Sequence, residues 1–129
     1  MNSFCAYAGL IPIQIFQLEK YKNQENDPFY RMELHVIRLG EVAFATNPFE
    51  LYVDYGFRIT GRSKSKQTFV IQLSCDRCDY LPTKKAIPGG GYSAMVIRVG
   101  PIGGKVLVNE TVDLINSLWE QYNDSKSNT

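Results

Sequence analysis

Histidine is nearly missing from this chain, with one in 129 residues, and no His-x-His pair is available to hold a metal. Cysteine is also scarce. Cys5, Cys75 and Cys78 make an odd count, which does not suit a secreted disulfide scaffold. No charge of one sign dominates: 14 Lys and Arg against 13 Asp and Glu leave a formal charge of +1. That balance creates no field to attract nucleic acid or an anionic membrane. Long apolar runs are lacking too. The stretch 4–16 is broken by Pro12 and Gln14, and no Lys or Arg precedes it. It fits neither a membrane span of roughly 20 residues nor a secretory signal with its basic start. As it stands, the chain is expected in the cytoplasm. The glycosylation patterns at Asn109-Glu110-Thr111 and Asn123-Asp124-Ser125 carry no meaning without secretion.

What remains is the composition of one globular domain, 44% hydrophobic and 21% charged, long enough to bury a single core. Helical periodicity covers 10–22, starting near Pro12. The runs 31–39 and 42–46 read as two strands joined by a tight turn at Gly40-Glu41. The segment 51–59 fits both a strand and a helix. Asn47-Pro48-Phe49-Glu50 favours the helix, with Asn47 as N-cap, proline at the first helical position and Glu50 as capping-box partner. A nearly uniform apolar strand at 67–73 is expected to lie centrally in its sheet. A loop follows at 81–91, then a short strand at 95–99. A last helix from about Gly103 or Asn109 to Tyr122 carries Val108, Val112, Ile115 and Trp119 on one face. The expected architecture is α/β or α+β: a mixed sheet of about four strands against one layer of about three helices, in a single domain over 1–122 with a disordered tail at 123–129.

Several local patterns have bland readings. Cys75-Asp76-Arg77-Cys78 has the spacing of a thiol pair or half a zinc knuckle, but a structural zinc site needs two more ligands. His35 alternates with its strand neighbours and reads as a surface or half-buried histidine. Gly100-Pro101-Ile102-Gly103-Gly104-Lys105 fails as a phosphate loop, because Val99 stands where the first glycine belongs and Val106 replaces the Ser/Thr. Arg58, Arg62, Lys64, Lys66, Lys84 and Lys85 form a basic patch without interleaved aromatics, which reads as a solvated face.

An ordered set of short motifs carries a resemblance. They are Asn47-Pro48-Phe49-Glu50, Gly56-Phe57-Arg58-Ile59, Gln67 to Ile71, Asp79-Tyr80-Leu81-Pro82-Thr83, Gly89 to Tyr92, and the Val99 to Gly104 lead into the last helix. In this order and spacing, the region 31–119 resembles the C-terminal part of the neutral/alkaline ceramidase-like family. The resemblance implies a zinc-dependent enzyme cleaving the amide of ceramide or a related N-acyl lipid. It also implies that an earlier part of the chain supplies histidine ligands, while Glu50 and Tyr92, 42 residues apart (92 − 50), supply oxygen ligands. Tyr92-Ser93 stands where better-known ceramidases have Tyr-Glu, and the His-rich and serine-bearing regions have no counterpart here.

The expectation is therefore a fragment of such an amidohydrolase, inactive alone and binding no zinc by itself, because two oxygen ligands are too few. It would pair with a missing N-terminal half or with a second copy, and with no nucleic acid or membrane span. The alternatives are a non-catalytic, self-associating αβ module, or an enzyme of another class using Cys75 or Cys78 as nucleophile and His35 as base. Glu50 remains a metal ligand or a capping residue, and Tyr92 a ligand or an aromatic beside a flexible turn.

Overall fold

The computed structural model describes residues 29–127, together with Glu19, Tyr21, Lys22, Glu25 and Asn26, with the last helix's side chains described through Glu120. The expected helix over 10–22 lies outside these residues, apart from Glu19, Tyr21 and Lys22, which are helical.

Strand β1 (Val36–Leu39) turns at Gly40-Glu41 into β2 (Val42–Thr46), with Leu39 opposite Val42 and Val36 opposite Ala45. Gly40 has φ +60°, at the first central position of a two-residue hairpin loop, a place that favours glycine. The chain then passes through β3 (Glu50–Leu51) and helix α1 (Val53–Arg62) into β4 (Gln67–Ile71). Strand β4 lies parallel to β2, pairing Val42 with Gln67 and Thr46 with Ile71. Parallel strands cannot be joined by a tight turn, and α1 supplies the crossover. The sheet order is β1-β2-β4. A second, two-stranded parallel ladder joins β3 to β5 (Tyr80–Leu81). A short 3₁₀ turn (Ile87–Gly89), helix α2 (Tyr92–Met95) and the long helix α3 (Pro101–Ser127) complete an α+β domain.

Side-chain alternation decides which face is covered. Ala43 and Ala45 on the central strand are fully buried, and their small size lets α1 and α3 pack closely on that face. Val108, Val112, Ile115 and Trp119 form the buried stripe of α3 read from the sequence. Tyr55 and Ile59 form that of α1. Gly104 is required where the helices meet, because a Cβ there would overlap the phenol end of buried Tyr55, whose hydroxyl donates to the Pro82 carbonyl at 3.0 Å. Arg38 ties β1 to α3, with its guanidinium 4.1 Å from the centre of the Trp119 ring and donating to the Leu118 carbonyl at 2.8 Å. Part of the basic patch also staples α1 and its following turn to α3: Arg62 bonds Asn109 and Lys64 pairs with Glu120.

The opposite sheet face carries Ile37, Phe44 and Phe69 in one cross-strand row, with the two phenyl rings stacked at 5.2 Å. Ile37 is 61% exposed, Leu39 70% and Phe69 48%, so no described residue covers this apolar face.

Several local expectations change. The helix does not begin at Asn47-Pro48. Asn47 spends its side chain locally, with Oδ1 accepting the Phe49 amide at 3.1 Å, while its backbone amide and Nδ2 donate to the Ile71 carbonyl. Asn47 to Phe49 are thereby held in a bend that leads into β3, and the helix starts only at Val53. Strand β4 is an edge strand, not a central one; its outward positions are apolar because that sheet face is apolar. The expected strand over 95–99 is reduced to a single bridge, Ile97 to Tyr80, among bends that follow the last residue of α2, Met95. The first strand is shorter than 31–39. Finally, α3 runs through Ser127, over the residues read as a tail, since no glycine or proline interrupts them.

Candidate functional site

The β3–β5 ladder sets Glu50 directly opposite Tyr80. In parallel pairing, registered side chains share a face, so the Tyr80 phenol lies beside the Glu50 carboxylate. Interaction with Glu50 is the main cause raising the Tyr80 phenol above its ordinary value. Partial burial and the nearby Glu50, Tyr92 and Tyr52 add to it. Tyr80 is thus a protonated donor rather than a phenolate. Strand β3 is fixed from the other side by Gln72, whose side-chain oxygen accepts the Leu51 amide at 2.7 Å.

Tyr92 arrives from the opposite direction. Gly90 and Gly91 have φ of +68° and +86°, a conformation that side chains rarely tolerate, and they swing the chain into α2 with Tyr92 as its first residue. Its ring meets Tyr80 edge-to-face, with centroids 5.9 Å apart. Beside it, the hydroxyls of Ser93 and Tyr52 lie 2.7 Å apart and hold α2 against the start of α1. Glu50 and Tyr92, 42 residues apart in sequence, therefore flank one tyrosine. Glu50 has no capping role, because the helix it was expected to cap begins three residues later. The cluster offers one carboxylate and three phenols. As a donor set it suits part of a zinc shell and not the whole of one, since Tyr80 keeps its proton.

The two cysteines of the Cys-x-x-Cys stretch occupy different surroundings. Both are free thiols. Cys78 is 3% exposed, its amide donates to the Pro48 carbonyl at 2.7 Å, and burial pushes its thiol up, opposed by Tyr30 and Arg98. A protonated buried thiol is a poor nucleophile. Tyr30 donates to Asp76 at 2.8 Å, which holds the Asp76 carboxyl below its usual range. Cys75 is exposed, with φ +67°. Its sulfur lies near His35 and Glu33, the three donor atoms all within 4.8 Å of one another.

Of the residues singled out from sequence, Glu50 and Tyr92 share one cluster and His35 and Cys75 another. Tyr80, Tyr52 and Glu33 carried no assigned role. Tyr80 is found only through a two-residue parallel ladder, too short to leave a periodic signal.

No protein-family model, curated protein or solved structure matches the chain. Among the described residues, no helix is long and apolar enough to cross a membrane.

Proposed function

We propose that this chain supplies the oxygen-donor half of a zinc-dependent amide hydrolase site, in the manner of the neutral/alkaline ceramidase-like family, and is inactive alone. The observation supporting this reading is that Glu50 and Tyr92 both lie beside Tyr80. Glu50 and Tyr92 are the metal-facing pair. Tyr80 is a positioning residue that lies beside the Glu50 carboxylate. Ser93 and Tyr52 fix the helix turn that carries Tyr92. The imidazole ligands come from outside these residues, because the single histidine, His35, belongs to a different cluster. When bound, zinc polarises the N-acyl carbonyl and acidifies its water.

Co-expression with a histidine-bearing N-terminal portion, followed by metal analysis and an N-acylsphingosine hydrolysis assay, tests this. Assembly adds one zinc per complex and produces amide cleavage, and Glu50→Gln or Tyr92→Phe lowers zinc affinity by about tenfold or more. Unchanged metal content and no hydrolysis on assembly overturn it.

A second reading, a self-associating αβ module without catalysis, is favoured by the apolar sheet face around Phe44 and Phe69. Two such faces can stack about 10 Å apart as in a β-sandwich, and a net charge near zero offers little repulsion between copies.

A further inference from the structure

We infer that Glu33, His35 and Cys75 form a zinc-binding site of their own, distinct from the Glu50–Tyr92 cluster. The donors are a carboxylate, an imidazole and a thiolate, brought together from the segment entering β1 and the loop between β4 and β5, 40 residues apart (75 − 35). Mixed nitrogen and sulfur donors select zinc, or cobalt as its substitute, over magnesium and calcium, which take oxygen shells.

The geometry separates metal binding from the other chemistry these residue types perform. In a catalytic relay, the carboxylate and the nucleophile hydrogen-bond to opposite nitrogens of the imidazole. Carboxylate oxygen and sulfur then stand about 7 Å apart across the ring. Here the three donor atoms make a compact triangle, all within 4.8 Å, so the sulfur and the carboxylate do not stand across the ring from each other. His35 Nε2 and the Glu33 carboxylate oxygen are hydrogen-bonded at 3.2 Å, and a zinc ion would take the place of the proton between them. Tetrahedral zinc with ordinary bond lengths places its nitrogen and oxygen donors about 3.3 Å apart and its sulfur slightly further, so a small inward movement of exposed side chains closes the shell.

The backbone beneath is already fixed. The His35 amide donates to Thr46 Oγ1 at 3.0 Å and its carbonyl accepts the Thr46 amide at 2.9 Å. The loop bearing Cys75 is pinned on both sides of it, by Ser74 to the Asn47 carbonyl and by Cys78 to the Pro48 carbonyl. Three protein ligands leave a fourth position open to water or an outside donor.

Zinc titration of the full chain under reducing conditions, by competition with a chromogenic chelator, tests the site, with cobalt as a spectroscopic probe. One equivalent binds, zinc raises the thermal midpoint, and cobalt gives a near-ultraviolet thiolate charge-transfer band. Cys75→Ser abolishes the band, and His35→Ala weakens zinc binding by about tenfold or more. All three side chains are exposed, so these variants keep the fold, which circular dichroism checks. Absence of saturable binding overturns the proposal, as does a band and affinity unchanged in Cys75→Ser. Zinc lost in Glu50→Gln but retained in Cys75→Ser also overturns it, and assigns the metal to the other cluster. Zinc retained in Glu50→Gln and Tyr92→Phe is the expected result, and leaves the amidohydrolase reading to its own test.

Discussion

Tyr80 does more in this molecule than its position in a two-residue strand suggests. Its phenol lies beside Glu50 while its ring meets Tyr92, so one side chain relates the two residues proposed as metal ligands. Its raised pKa has a direct consequence. A phenol whose folded value exceeds its unfolded value contributes stability that is complete below the ordinary tyrosine range near pH 10 and is lost as pH rises through the folded value. Ultraviolet titration of the wild type against Glu50→Gln isolates this group, although Tyr30 and Tyr55 are also shifted upward by burial. The variant should show one tyrosine ionising at lower pH than in the wild type. An unchanged titration would mean that Glu50 and Tyr80 are not bonded in solution.

Two glycines constrain the elements for different physical reasons, and substitution tells them apart. Gly40 has open space around its missing Cβ but a φ of +60°, so Gly40→Ala costs backbone strain of about 1–2 kcal/mol in the β1–β2 hairpin. Gly104 lies within a helix, and its constraint is space: alanine there displaces the buried Tyr55 ring and its bond to Pro82. Overpacking of this kind costs about 1–3 kcal/mol. Urea unfolding measures both. Removing the ring in a Gly104→Ala, Tyr55→Leu double variant should make the two changes non-additive, whereas Gly40→Ala should add independently to Tyr55→Leu. Full additivity at Gly104 would contradict the close helix contact.

Among the described residues, the sheet is covered on one side. Both helices pack on the face of Ala43 and Ala45, while the row Ile37, Phe44 and Phe69 meets no described residue. Exposed apolar area of this kind marks a site of protein or ligand contact, or an aggregation liability. Sedimentation across a concentration series should show association of the chain, reversed by Phe69→Asp, which places a charge on the β4 edge of the face without touching the core. A monomer at every concentration would remove the self-association reading. Both proposed functions bear on this face, because an N-terminal portion that brings histidines could also cover it.

The sequence determined on its own whatever depends on neighbours along the chain. The Gly40 turn between two strands, the stripe Val108, Val112, Ile115 and Trp119, and the α+β class all follow from periodicity and turn chemistry, which are local. Tertiary structure alone decided the rest. Asn47 reads as a helix cap because sequence shows its hydrogen-bonding capacity but not the Ile71 carbonyl that claims it. The apolar run at 67–73 reads as a central strand because both of its faces are apolar, and only the assembled sheet reveals that one of them is uncovered. Glu50 with Tyr80, and Glu33 and His35 with Cys75, meet through a two-residue ladder and a pinned loop. Contacts of that kind are set by where the backbone returns in space, and spacing along the chain does not encode them.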